Sequence, residues 1–170
     1  MNSKDTIAAI ATAAGSSGIG IIRISGDEAF SVGEKIFKRA GKKSKDEKNL
    51  PGDMEEEPRK VCYGYIYDGE ELIDEVLVIV MKGPYSYTAQ DTVEIDCHGG
   101  VLVMKRILET AIRNGARPAE PGEFSKRAFL NGRIDLSQAE AVMDLISAQN
   151  EYALKSSASQ LRGSVLRKVK

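Results

Sequence analysis

Between Val61 and Cys97 the chain spells three β-rich runs in close succession, which commits this stretch to strands within an α+β fold. Val61 to Tyr67 and Leu72 to Met81 flank the turn pair Asp68-Gly69, so a hairpin is predicted. Val76 to Met81 is unbroken apolar sequence and is expected to be buried on both faces. After the loop Gly83-Pro84-Tyr85-Ser86, the stretch Asp91 to Cys97 alternates. Val93, Ile95 and Cys97 point one way; Thr92, Glu94 and Asp96 point the other. Two earlier β-rich runs, Thr6 to Thr12 and Gly18 to Ile24, are joined by the loop Ala13-Ala14-Gly15-Ser16-Ser17.

Helical patterns fill the intervals. Ser25-Gly26-Asp27-Glu28 fits a capping box opening a helix through about Arg39, with Phe30, Ile36 and Phe37 as its buried stripe and Gly33 as its weak point. The charged stretch Gly41 to Lys60 reads as a long, mobile loop. His98-Gly99-Gly100 leads into a helix from about Val101 to Arg113, closed by Asn114-Gly115. Beyond Pro118 and Pro121, a short helix over Glu123 to Leu130 meets an Asn131-Gly132 turn. Ser137 and Glu140 read as a second capping box, opening a stripe of Val142, Leu145 and Ile146, then Leu154, Ala158, Leu161, Val165 and Val169. Such a stripe gains little stability without a surface to pack on, and none is evident. The expected architecture is α+β: a first domain over residues 1–118 and an incomplete helical domain over 119–170.

The net charge of -1 leaves no whole-chain footprint for nucleic acid. Charge is uneven, though: Lys155, Arg162, Arg167, Lys168 and Lys170 face no acid between Tyr152 and Lys170. That tail reads either as a solvated helix face or as a contact for RNA phosphates. Cys62 and Cys97 are far apart and, with one histidine, fall short of a structural zinc site; no metal site is expected, and free thiols fit a cytoplasmic protein. No run approaches about 18 apolar residues, so no transmembrane span is expected, and no export signal is read.

Several stretches invite chemistry. Gly15-Ser16-Ser17-Gly18-Ile19-Gly20 has neither phosphate-loop spacing, and a strand follows it; Gly41-Lys42-Lys43-Ser44 has Ile36 where a P-loop needs its first glycine. Both read as connecting loops. Cys97 and His98 are adjacent on a strand and so face opposite ways, which argues against a nucleophile–base pair; Cys97 is expected to be an inert core residue. His98, before a Gly-Gly helix entry, is either structural or able to hold an anion or a polar ring. Thr92, Glu94 and Asp96 form either a solvated sheet face or a pocket whose carboxylate accepts paired hydrogen bonds from an amidine-like ring edge. Arg23, the one charge between Gly18 and Gly26, sits on a wet face or pairs with an anion in a cleft. Tyr85 and Tyr87 either stack on a planar ligand or pack on the core rim, and Arg133 is either a surface arginine or reaches back over the first domain. No catalytic residue is assigned.

Four stretches together resemble the MnmE/TrmE family of tRNA-modification GTPases. They are Gly-Ile-Gly-Ile-Ile-Arg-Ile-Ser-Gly (Gly18 to Gly26), Gly-Pro-Tyr-Ser-Tyr-Thr (Gly83 to Thr88), Val-Glu-Ile-Asp-Cys-His-Gly-Gly (Val93 to Gly100), and the long run from Pro121 to Val142 that contains Asn-Gly-Arg-Ile-Asp-Leu-Ser. The resemblance implies a tetrahydrofolate-binding-like mixed sheet with helices that dimerises to create folate sites. By motif position Arg23, Glu94 and Arg133 would contact 5-formyltetrahydrofolate or the 5,10-methylene form; position 133 is often lysine in the family, which keeps the charge and changes the geometry. It further implies a homodimer, an FAD-containing partner of the MnmG/GidA family, and tRNA whose wobble uridine is modified. The family usually has Pro-Gly where this chain has Ala14-Gly15, and Gly-Glu-Asp where it has Ala89-Gln90-Asp91. Its inserted GTPase domain, to which GTP, magnesium and potassium would belong, is not recognisable here, so folate binding without GTP hydrolysis is expected. A stand-alone folate-dependent one-carbon transferase and an RNA- or partner-binding module are the alternatives.

Overall fold

A computed structural model describes residues 4–13, 15–41, 47–51 and 58–147, and positions 155, 158 and 161. The chain forms two compact units, residues 1–86 with 90–119 and residues 87–89 with 120–170. In the first unit the order is β1 (Ile7–Ile10), β2 (Ile19–Ser25), α1 (Ala29–Ile36), β3 (Phe37–Arg39), β4 (Arg59–Asp68), β5 (Glu71–Met81), β6 (Thr92–His98), α2 (Val101–Arg113) and β7 (Arg117–Pro118). The strands form one sheet in the order β3-β4-β5-β6-β2-β1-β7, antiparallel throughout except for the parallel β1–β7 pair. This is the mixed α+β sheet the sequence predicts. The two-residue β7 carries no periodic signal of its own and is missed by pattern.

The inner face of the sheet is apolar: Ile22 and Ile24 of β2, Val93 and Ile95 of β6, and Val76, Val78 and Val80 of β5 are all buried. Val32 and Ile36 of α1 and Met104 and Ile107 of α2 complete that core. Each such side chain contributes about 1.5–3 kcal/mol against the entropy of ordering the chain. Gly33 belongs to this packing, since a Cβ there would stand 3.2 Å from Leu50 and 3.3 Å from Val93.

Among the described residues of this unit, no helix covers the outer face. Leu77 is 46% exposed while Val78 is 0% exposed, so the expectation that Val76 to Met81 is buried on both faces is wrong. An apolar run alone does not distinguish a two-sided strand from a one-sided strand whose open face is also apolar.

Three local readings are corrected by longer-range contacts. Helix α1 ends at Ile36, not near Arg39, and Phe37–Arg39 instead pairs with β4 at the sheet edge. Gly64 permits this, because a Cβ there would meet the Lys38 carbonyl oxygen at 2.3 Å. No capping box forms at Ser25: its buried hydroxyl lies 3.0 Å from the Thr92 hydroxyl, and the Glu28 N–H donates to Thr6 Oγ1 at 2.8 Å. Within the charged loop, the amides of Asn49 and Leu50 donate to the Glu34 carboxylate at 2.7 and 2.9 Å, which ties this part down; residues 42–46 and 52–57 lie outside the described residues.

The second unit holds α3 (Glu123–Leu130) and α4 (Leu136–Ser147). The capping box of α4 is Asp135 with Gln138, two residues earlier than predicted. The Gln138 N–H donates to Asp135 Oδ1 at 2.7 Å and the Asp135 N–H to Gln138 Oε1 at 2.9 Å. Farther on, Ala158 and Leu161 are helical and partly buried, and Lys155 is exposed. Leu154, Val165, Val169, Arg162, Arg167, Lys168 and Lys170 lie outside the described residues, as does the side chain of Ile146.

Candidate functional site on the outer face of the sheet

Strands β2 and β6 pair Ser25 with Thr92, Arg23 with Glu94, Ile21 with Asp96 and Ile19 with His98. Their alternation places all eight on the outer face, opposite the core. Arg23 Nε donates to Glu94 Oε1 at 2.7 Å, and the two side chains are 24% and 16% exposed. The arginine is therefore neither a core residue nor a solvated one; it holds a carboxylate on a half-dry sheet surface. Thr92 is buried and donates to the Gln90 carbonyl at 3.1 Å. Asp96 Oδ1 is buried without a hydrogen-bond partner among the described residues. Burial, and secondarily the Glu94 charge, push the Asp96 carboxyl above its ordinary range. A freely solvated sheet face does not fit these groups.

The same rows continue into apolar ground. Glu94 stands in register with Ile79 and then Val61, and Asp96 with Leu77 and then Tyr63. Val61 is 64% exposed and Tyr63 46%. A polar half thus adjoins an apolar half on one surface.

Cys97 and His98 diverge as the alternation predicts. Cys97 is buried, its thiol lies 3.3 Å from the Gly20 carbonyl oxygen, and burial first and Asp74 second push its pKa up to about 11. It is an unreactive core thiol at neutral pH. The side chain of His98 is 70% exposed, and Asp74 takes both its backbone N–H (2.8 Å) and its ring Nδ1 (2.7 Å). That contact turns Nε2 outward. It also raises the imidazole pKa above the ordinary 6.5, the hydrogen bond to Asp74 leading. The pair therefore contributes stability fully below the unfolded pKa and loses it as pH rises through the folded value. NMR titration of the single histidine should give a midpoint above about 6.5, and Asp74→Asn should lower it; an unchanged midpoint would refute the pairing.

Gly15 to Gly18 lie in the loop before β2, and Ile19 and Gly20 already belong to the strand, so this glycine-rich stretch is a loop followed by a strand, as expected. Its closest approach is at the β6 end, where the Ser17 N–H donates to the Gly99 carbonyl at 3.3 Å. A Cβ on Gly99 would meet the Ser17 carbonyl oxygen at 2.3 Å, so the first glycine of Cys-His-Gly-Gly is a packing requirement, whereas a Cβ on Gly100 would make only ordinary contact with Val103 at 3.8 Å.

In the second unit, Arg133 is exposed and lies over the Tyr87 ring at 5.0 Å, while the Tyr87 hydroxyl is 2.8 Å from Ser125 Oγ. Of the three residues singled out by resemblance, Arg23 and Glu94 are in contact and Arg133 stacks on Tyr87 in its own unit. Tyr85, in the first unit, is 52% exposed with Arg59 over its ring at 5.6 Å. Ala89 adopts φ 61°, the left-handed conformation that favours glycine. Sequence reading missed the ion pair Glu123–Arg127, 3.3 Å apart with both side chains 2% exposed. Its signal was present, as opposite charges four residues apart on a predicted helix. Among the described residues, no group of three or more His, Cys, Asp or Glu could hold a metal ion, and no helix is long and apolar enough to cross a membrane.

Comparison with known proteins covers both units. Residues 6–133 match the family model described as the GTP-binding protein TrmE N-terminus. The chain is 60% identical over 166 residues to the tRNA modification GTPase MnmE of Lachnoclostridium phytofermentans, covering 98% of this chain and 35% of that protein. It is 58% identical to the MnmE of Alkaliphilus oremlandii (97% and 34%) and 54% identical to that of Clostridioides difficile (98% and 34%). The chain thus spans about a third of the length of these relatives. With the Gly18–Gly26, Val93–Gly100 and Pro121–Arg133 motifs all inside the matched residues and the mixed sheet they require in place, the chain belongs to the MnmE/TrmE family, in its amino-terminal region.

Proposed function

We propose that this chain is the folate-binding and dimerisation part of a GTPase that modifies the wobble uridine of tRNA. The observation that carries the reading is the Arg23–Glu94 pair on the open sheet face, with a partly buried carboxylate held in place by a guanidinium. A reduced pterin presents a flat edge of N–H donors, and a fixed carboxylate is the acceptor that such an edge needs. The residues fit the group, since Asp96 Oδ1 leaves a further acceptor on the same face. Glu94 takes the pterin edge, Arg23 fixes that carboxylate, and Arg133 engages the folate's polar or anionic groups. The folate, as its 5-formyl or 5,10-methylene form, supplies the one-carbon unit.

Dimerisation draws on the apolar half of the same face. Val61, Tyr63 and Leu77 are exposed side by side, and a second copy of the chain is the partner that the family suggests. The tRNA and an MnmG/GidA-family FAD protein act with the whole enzyme in the cytoplasm, with GTP, magnesium and potassium serving its GTPase domain. Calorimetry of the chain with 5-formyltetrahydrofolate, alongside sedimentation equilibrium, tests the reading. Saturable binding by a dimer is expected; a monomer, or a chain that releases no heat of binding at any concentration, would overturn it.

A further inference from the structure

Asp96 is the one buried side-chain polar atom set among the described residues that lacks a hydrogen-bond partner, through its Oδ1. It stands on the outer face two residues from Glu94, opposite Ile21 on β2 and Leu77 on β5. Neither neighbour in register offers a donor. Glu94, by contrast, already gives Oε1 to Arg23 at 2.7 Å. The surface therefore carries two carboxylates in one row of a strand, one partly engaged and one with an oxygen left over.

An acceptor buried without a donor costs stability, and sequences rarely keep one where an apolar side chain would pack better. We propose that Asp96 is a second carboxylate contact of the folate site, taking a ring N–H of the pterin that Glu94 does not reach. The inference rests on the folate reading of the Arg23–Glu94 pair. A tetrahydropterin offers donors at the 2-amino group, N3 and N8, more than the one Glu94 carboxylate can accept while Arg23 occupies it. Two acceptors on alternate residues of one strand lie on the same side, about 7 Å apart, which spans a bicyclic ring edge. Asp96 is thus a specificity residue for donor-rich, flat heterocycles. The raised pKa from burial adds that ligand binding here weakens as the carboxyl protonates at low pH.

The test separates a ligand contact from a buried defect by making stability and affinity move in opposite directions. Asp96→Val removes the orphan oxygen and fits the apolar row, so it should raise Tm by a few degrees and weaken binding of 5-formyltetrahydrofolate by about tenfold or more. Asp96→Asn keeps the shape and should also weaken binding, at an unchanged Tm, because a charge-assisted bond becomes a neutral one. Wild-type affinity in both variants, while the unaltered chain binds, would overturn the role of Asp96 and leave the folate reading standing. Failure of the unaltered chain to bind would overturn both.

Discussion

Glu94→Ala should weaken binding of 5-formyltetrahydrofolate by about a hundredfold, the largest effect expected of any single change on this surface. Hydrogen bonds to a charged group are worth about 1.5–3 kcal/mol each, and a donor left without its acceptor in a dry site adds its own desolvation cost. Removing Glu94 takes away both carboxylate oxygens, including the Oε1 that the Arg23 Nε–H reaches at 2.7 Å. The fold itself should survive, because Glu94 lies on the outer face while Val93 and Ile95 on either side hold the inner core. Glu94→Gln is the sharper companion variant. It keeps the volume but puts an NH2 group where the ligand edge needs an acceptor, so it too should bind weakly. Calorimetry reads both, and wild-type affinity in Glu94→Ala would refute the assignment.

Arg127→Ala should destabilise the second unit by about 3–5 kcal/mol, since it removes one half of a buried ion pair. The Glu123 and Arg127 side chains are 2% exposed, and Glu123 also accepts the Glu120 N–H at 2.8 Å, so the pair ties the entry of α3 to its own last turn. Replacing both residues by methionine, which retains volume and removes both charges, should cost far less than either single truncation. Urea unfolding followed by far-UV circular dichroism measures the difference. A single and a double variant of equal stability would show that the ion pair does not act as a unit. Folate affinity of Arg127→Ala should fall only to the extent that the second unit unfolds.

Strands were legible where polarity alternates, as in Thr92 to His98, because the period of two has a direct physical cause in the pleat. Helix α2 was legible from both ends, with a Gly-Gly entry and an Asn-Gly exit. What failed were elements decided by distant contacts. Ser25 looks like a helix cap in its own neighbourhood, yet Thr92 claims its hydroxyl from 67 residues away. Phe37 continues a helical stripe by spacing, yet it pairs with Ile66 on β4, where the missing side chain of Gly64 leaves room for its ring. Asp135 and Ser137 are both good caps by type, and spacing alone chose the wrong one. In the site, Arg23 and Glu94 were each ambiguous alone. Their pairing depends on the β2–β6 register across 71 residues, which no local pattern encodes. The orphan oxygen of Asp96 is likewise a property of packing, invisible in the string Val-Glu-Ile-Asp.

On the proposed reading, a folate sits on the outer face of the sheet over Arg23 and Glu94. Its most direct test is an NMR titration of the isotope-labelled chain with 5-formyltetrahydrofolate, following backbone amides and the arginine Nε–H groups. The expected result is saturable shifts concentrated on Ile21 to Ser25 and Thr92 to His98, with the Arg23 Nε–H among the largest. Shifts confined to residues outside those two strands, or none at saturating ligand, would contradict it.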